Sequence, residues 1–314
     1  MTERGIGPGA PVLAFDVGGT DIKSALFDAD GTALGLRRTP TPPLGADPAG
    51  AVIEELARLS DELRAQHPHV VPEAGGFVVP GIVDADAGLV VFASNLGWRD
   101  APLRALAAER LQLPIALDHD VRSASWAEHE LGGARAHDDV VVLIIGTGIA
   151  GAVLIGGQPY TAGGYAGEIG HAPIADVPPR GNAMLCACGA YGCLETVASA
   201  GAIARRYAAE TGTAPDGARA VIARALAGDP VAARIWDDAL DALALALAQL
   251  ASILAPEAIV IGGGLSRAGD VLFDELRTRL AARLSFHRLP QLVPAQLGGD
   301  AGLLGAALRA RELT

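Results

Sequence analysis

The sequence predicts an α/β protein built in two related halves, and three observations predict it. At 314 residues, half of them apolar, the chain suits two domains or one large α/β unit. Short apolar runs ending in glycine turns alternate with segments of helical period. Two of those turns, Asp16-Val-Gly-Gly-Thr20 and Gly146-Thr147-Gly148, share one plan: a strand runs into glycine and threonine and returns as a hairpin.

The formal net charge of −12, with no basic run or basic helix, argues against a nucleic-acid or anionic-membrane surface. The opening MTERGIGPGAPV has an acidic residue and no apolar stretch of signal-peptide type, so no secretory signal is expected. The cysteines are clustered and form no paired framework, which makes a reducing cytoplasm the expected compartment. The most apolar helix candidate, 239–254, is interrupted by Asp241 and is too short to span a bilayer.

Residues 12–15 read as a buried strand leading into the first turn. There Gly18 and Gly19 leave room for backbone N–H groups beside a phosphate, Thr20 adds a hydroxyl, and Asp16 can hold a magnesium ion (Mg2+) through water. An ordinary tight turn accounts for the same residues. A P-loop is excluded, because G-x-x-x-x-G-K-[ST] is absent and no helix follows. Residues 24–27 and 32–37 read as a hairpin closed by an Asp-Gly turn at 28–31. The segment 39–50, with four prolines and two glycines, reads as a surface loop. A helix follows over 51–66, with Val52, Ile53, Leu56 and Leu59 on one side.

A strand at 76–79 stops at Pro80-Gly81, and a hairpin-like pair runs through 88–92, with Asn95 and Trp98 in the loop behind it. Asp100 is expected to cap a helix over 101–111. The strand 113–117 presents Asp118, His119 and Asp120 at its carboxyl end, and a helix over 121–131 starts at once. Open α/β sheets bind ligands in the crevice at that end, so Asp120 reads as a general base or as a helix cap. His119 reads equally as a packed, hydrogen-bonded histidine.

The strand 140–145 delivers Gly146-Thr-Gly148-Ile-Ala-Gly151, a literal G-x-G-x-x-G. Residues 152–155 continue as strand, so a hairpin stands where the dinucleotide fingerprint requires a helix. The stretch 167–195 then holds every cysteine of the chain. His171, Cys186, Cys188 and Cys193 offer one imidazole and three thiolates, a complete shell for a structural zinc ion (Zn2+) that would fold a loop poor in apolar residues. Three ordinary thiols are the plain alternative. Glu168 and Glu195 bracket the cluster, either aimed at a polar ligand or solvated. Helices are expected at 196–210, 217–227 and 231–254, the last so rich in Ala and Leu that it should be buried on nearly all sides. The strand 258–261 ends in Gly262-Gly263-Gly264, where a nucleobase or ribose can lie against backbone, or where the chain simply turns. Helices over 270–284 and 301–311 close the sequence.

The order of these signals is more specific than any one: glycine hairpin with Asp, strand-end Asp, second glycine hairpin with Thr, GEIGH, C-x-C-G-x-x-G-C-x-E, triple glycine. It resembles the ROK family of sugar kinases and repressors over nearly the whole chain. The resemblance implies an actin-like (ribonuclease H-like) ATPase fold, two α/β domains around a cleft whose closure excludes water. The N-terminal domain would be 1–121 plus 300–314, and the C-terminal domain 122–299 with the zinc loop. Asp16, Gly18, Gly19 and Thr20 match the first phosphate motif; Gly146, Thr147 and Gly148 match the second; Gly262, Gly263 and Gly264 match the adenosine motif. Asp120 matches the catalytic base. Pro80, Gly81, Asn95, His119, Glu168, His171 and Glu195 match positions lining the sugar site, His171 also among the zinc ligands. The implied activity is ATP-dependent phosphorylation of the 6-hydroxyl of glucose or a close relative. ATP, magnesium and zinc are the implied cofactors, a small-molecule sugar the partner, and a homodimer the assembly.

Two departures bear on that expectation. The family usually has Asn-Asp at the strand end, whereas this chain has His119-Asp120 followed by Val-Arg. The bulkier, chargeable imidazole makes an amino or N-acyl hexose (glucosamine, 3-amino-glucose, N-acetylmannosamine) the alternative substrate. After Thr20 stand Asp21 and Lys23, where the family commonly has Lys or Asn directly after Thr; Lys23 can reach a phosphate or sit exposed on the hairpin. The repressor branch carries a helix-turn-helix before the first hairpin. Only eleven residues precede Val12 here, and the acidic charge is unsuited to an operator.

Overall fold

Val12–Val17 forms β1, all of it buried except Asp16. The computed structural model describes residues 5–174 and 184–314. β1 pairs antiparallel with β2 (Asp21–Phe27), which pairs with β3 (Ala33–Pro40), so the first hairpin starts earlier and ends later than its apolar residues suggest. Asp28 closes the β2–β3 turn by accepting the amides of Asp30 and Thr32. On its other edge β1 runs parallel to β4 (Ala74–Val79). A small sheet follows, formed by β5 (Ile82–Asp84), β6 (Leu89–Ala93) and β7 (Trp98–Ala101). Trp98 is thus a strand residue and not part of a loop. Asp100 lies in the same strand with φ of 48° and caps nothing. The next helix begins at Leu103 behind Pro102, without a side-chain cap. β8 (Ile115–His119) extends past the expected strand end and pairs parallel with β4, giving the order β3-β2-β1-β4-β8.

Two helices cover one face of that sheet. α1 (Pro48–Gln66) starts three residues before its apolar period, because Asp47 accepts the Gly50 amide and Pro48 suits the first turn. It packs Val52, Ile53, Leu56, Leu59 and Leu63 with α2 (Leu103–Leu111) into a core with Leu13, Phe15 and Phe77. Truncating a residue such as Leu56 to Ala should cost about 2–5 kcal/mol. Side chains alternate along β4, so Gly76 faces the other way. A Cβ there would stand 2.0 Å from the Ala306 carbonyl. The C-terminal helix Ala301–Arg311 therefore lies backbone-close on the sheet. The same helix crosses α3 (Asp120–Leu131) at Gly305, where a Cβ would meet the Ser123 carbonyl at 2.2 Å.

The first compact unit comprises Met1–Leu131, Thr161–Ala166 and Gly299–Thr314, and the second comprises Gly132–Tyr160 and Gly167–Gly298. In the second unit, β9 (Val140–Ile145), β10 (Ile149–Ile155) and β11 (Gln158–Pro159) form an antiparallel meander. β12 (Ala258–Gly262) and β13 (Gln291–Pro294) run parallel to β9, in the order β11-β10-β9-β12-β13. Both sheets thus have three antiparallel strands followed by two parallel additions, so the likeness of the two glycine hairpins extends to the whole of each sheet. The hairpin at β9–β10 also removes the dinucleotide reading of Gly146–Gly151.

The helix expected over 196–210 is two helices, α4 (Leu194–Ala198) and α5 (Ala200–Thr211), because Ser199 is extended and caps the second through the Ala202 amide. α6 (Gly217–Leu226), α7 (Pro230–Leu254) and α8 (Asp270–Arg283) complete the core. The middle of α7 is buried nearly all round, but its last turn is not: Ile253 is 78% exposed. Among the described residues no helix is long and apolar enough to cross a membrane.

Candidate active site

In the first unit the candidate site residues gather at the carboxyl ends of three parallel strands. Asp16 is level with Val78 and Val78 with Asp118, while Val79 is level with His119. The turn Val17–Thr20, Pro80-Gly81 and His119-Asp120 therefore leave the sheet side by side, at the edge where open α/β sheets bind ligands. Gly81 has φ of 109°, and a Cβ there would press on the Phe92 carbonyl at 2.3 Å, which explains the glycine. Asn95 is exposed and reaches the first turn, its Nδ2 being 3.2 Å from where a Gly19 Cβ would be.

Asp16 does not stand alone. Lys23, directly across the hairpin, donates to its Oδ2 at 2.7 Å and also to the Gly299 carbonyl. With 14% of its side chain exposed, Lys23 is a paired residue and not a free surface lysine. Counting equal steps back from the turn would have found this pair, because hairpin residues equidistant from the turn face each other. Burial raises the Asp16 pKa, the Lys23 ammonium opposes the rise, and the nearby charges of Asp120 and Asp21 add to it. Asp16 also lies against the first turn of the C-terminal helix, where Gly302 leaves it room.

Asp120 is the first residue of α3, and its Oδ1 accepts the amide of Val121 at 2.6 Å. His119 Nε2 lies 3.3 Å from the same oxygen, and His119 Nδ1 faces the Arg122 amide at 3.4 Å. With Nδ1 accepting, a neutral ring carries its proton on Nε2, toward Asp120. Behind this pair sits a network that sequence reasoning missed. Buried Asp118 accepts from the His119 amide at 2.7 Å, from Arg122 Nε at 2.5 Å, from Ser123 Oγ at 3.1 Å and from Arg309 Nε at 3.2 Å. Arg122 also donates to the Val83 carbonyl, and Arg309 stacks 4.1 Å over Trp126.

In the second unit, Gly146–Gly148 and Gly262–Gly264 follow the adjacent ends of β9 and β12. Gly263 is demanded by its φ of 84° and by the Ile145 carbonyl, 2.4 Å from where a Cβ would stand; at Gly262 a Cβ would meet only the tip of the Ile144 side chain at 2.7 Å and Ala295 at 3.0 Å, and Gly264 faces open space. Four ligand atoms from His171, Cys186, Cys188 and Cys193 lie within 4.8 Å of one another. Cys188 Sγ is 3.7 Å from Cys193 Sγ, and Cys186 Sγ is 3.5 Å from His171 Nδ1. A tetrahedral zinc site has ligand–ligand edges of about 3.6–3.8 Å, so this set fits the ion. Burial pushes the thiols of Cys186 and Cys193 up, the latter to about 12, while the hydrogen bond with the backbone at Ala190 lowers exposed Cys188. A coordinating cation would supply the charge that three thiolates need in this place. His171 Nε2 lies 3.8 Å from the half-exposed Glu168 carboxylate. Glu195 is engaged by protein groups: its Oε2 accepts the Ile149 amide at 2.9 Å, and Cys186 Sγ is 3.7 Å from Oε1.

Known proteins resemble this chain over nearly its full length. The profile of the ROK family matches residues 12–312. A glucokinase of Streptomyces coelicolor is 32% identical over 320 residues, covering 96% of this chain and 97% of that protein. An N-acetylmannosamine kinase of Escherichia fergusonii is 34% identical over 302 residues, covering 95% and 98%. The crystal structure of a ROK family glucokinase from Streptomyces griseus, in complex with glucose and AMPPNP, superposes with a TM-score of 0.77 at 31% identity, covering 96% of this chain and all of that one. With an actin-like fold in two α/β units and a family match over nearly its full length, the chain belongs to the ROK family, as an ATP-dependent sugar kinase.

Proposed function

We propose that the chain transfers the γ-phosphoryl group of ATP to the 6-hydroxyl of glucose or a close relative, with Asp120 as general base. The observation that carries this reading is the place of Asp120, at the carboxyl end of β8, with one carboxylate oxygen held by the Val121 amide. That leaves Oδ2 to take the hydroxyl proton as the sugar oxygen attacks in line. Amides of the turns at Gly18–Thr20 and Gly146–Gly148 would neutralise charge developing on the phosphates. Asp16 would hold the magnesium of the nucleotide complex through water, by the oxygen that Lys23 does not engage. Gly262–Gly264 would carry the adenosine. Pro80, Gly81, Asn95, Glu168, His171 and Glu195 would read the sugar hydroxyls. Zinc held by His171, Cys186, Cys188 and Cys193 would supply folding energy and no chemistry. A cytoplasmic homodimer belongs to the same reading, by the family's pattern.

A second reading, an amino or N-acyl hexose as substrate, is favoured by His119 in the place of the family's Asn and by the N-acetylmannosamine kinase at 34% identity. Coupled ADP release with ATP and magnesium decides between them, over glucose, mannose, glucosamine, 3-amino-glucose, N-acetylglucosamine and N-acetylmannosamine, beside Asp120→Asn. Turnover of one sugar that falls on the order of a hundredfold or more in the variant is expected. Folded, zinc-loaded protein that turns over none of them would overturn the reading.

A further inference from the structure

The second glycine turn is clamped from both sides by one short segment, and that segment begins at a cysteine of the four-residue His/Cys cluster. Cys193 is the N-cap of α4, and Glu195 is the second residue of that helix. The Glu195 Oε2 accepts the amide of Ile149, the residue directly after the turn, at 2.9 Å. A Cβ at Gly148 would come within 2.3 Å of the same oxygen, so the carboxylate lies on the flank of the turn. On the other flank the Ala200 amide donates to the Gly146 carbonyl at 2.9 Å, and Gly201 lies against the Thr147 carbonyl.

Among the described residues, the far end of this clamp lies against the four-ligand set. Cys186 Sγ is 3.7 Å from the other Glu195 oxygen. The knuckle carrying Cys186 and Cys188 packs few side chains: Leu185 and Tyr191, which bridge it, are 62% and 65% exposed. Among the described residues it is tied down beside the other ligands by backbone bonds, Leu194 N–H to the Ala172 carbonyl and Ile174 N–H to the Gly192 carbonyl. Ile174 and Met184 pack on the core of the unit, whereas the stretch between Leu185 and Tyr191 is of the kind that a bound metal would order.

We propose that Glu195 is a positioning residue for the nucleotide-phosphate turn, transmitting the order of the four-ligand centre to Gly146–Gly148. The identity of the turn's ligand rests on the kinase reading; the mechanical link does not. The centre fixes Cys193 and the start of α4, α4 fixes the Glu195 carboxylate, and the carboxylate fixes Ile149 N–H. Loss of this charge-assisted bond should loosen the turn and lower its affinity for a phosphate.

The test is calorimetric titration with ADP and magnesium in the absence of sugar, together with amide exchange at Ile149. It compares wild type, metal-stripped wild type, Glu195→Ala and Glu195→Gln, with metal content and circular dichroism recorded for each. Glu195→Ala and metal removal should each weaken ADP binding about tenfold, and not additively. Both should speed exchange at Ile149 while amides in the middle of β9 stay protected. Glu195→Gln keeps an acceptor for Ile149 N–H and should bind ADP within about threefold of wild type. ADP affinity and Ile149 protection unchanged in Glu195→Ala, or unchanged on metal removal should the variant not fold, would overturn the proposal. Wild type that binds no ADP would fail the kinase reading instead, and the exchange measurement would still decide the link.

Discussion

The imidazole of His119 stands against the carboxylate of Asp120, Nε2 to Oδ1 at 3.3 Å, with its other nitrogen facing the backbone of α3. An amide in this place would present a smaller, permanently neutral group. His119→Asn should therefore change which sugar is preferred, moving the ratio of kcat/KM between an N-acyl or amino hexose and glucose by about tenfold or more, with KM for ATP little altered. Steady-state kinetics on both sugars checks this; an unchanged ratio would remove His119 from sugar selection.

Arg122 and Asp118 are about 95% buried, so removing the guanidinium leaves a carboxylate with less compensation in a dry place. Arg122→Met should destabilise the fold by about 3–5 kcal/mol. Urea unfolding at neutral pH measures it. A loss below about 1 kcal/mol would mean that Arg309 and Ser123 carry the Asp118 charge unaided.

Asp16 gives a pH prediction whose sign follows from its raised pKa. Because folding raises it, the unfolded chain releases this proton more readily, and stability is lost as pH rises from the usual carboxylate range through the folded value. Asp16→Asn cannot ionise and escapes that loss. The melting temperature of the variant relative to wild type should therefore climb with pH across that window, while kinase turnover collapses. A gap that stays flat or closes with rising pH would contradict the assigned burial effect.

The cysteine cluster predicts about one zinc per chain by elemental analysis. Removal by a strong chelator should lower the melting temperature by more than about 5 °C, restored by zinc. Cys188→Ser, which alters an exposed ligand and leaves no cavity, should reproduce the shift. Stoichiometric zinc that survives in Cys188→Ser would show that this thiol is not a ligand.

Much of the fold was legible because apolar period and glycine punctuation agree with it. β9 runs over the residues its sequence marks, and the C-terminal helix does too. β7 was not legible, since four residues with two exposed in the middle give no readable period. β13 was hidden by its terminal proline and its place at the sheet edge. In the candidate site, the residue types were visible but several of their partners were not. Asp118 draws a ligand from Arg309, 191 positions away, and Glu195 finds Ile149 across 46.

By itself the sequence determined the strand–turn–strand hairpins and the helix stripes, because each depends on neighbours a few residues away, and it marked Asp120 and the His/Cys cluster as candidates by residue type and position. Only the tertiary structure decided that Lys23 also reaches the Gly299 carbonyl, that Arg122 and Arg309 converge on Asp118, and that the Glu195 carboxylate accepts the Ile149 amide beside the second glycine turn. These are contacts between separate strands and helices, and they exist only once burial has brought those elements together. Inside that interior an ionised group must find a partner wherever the fold supplies one.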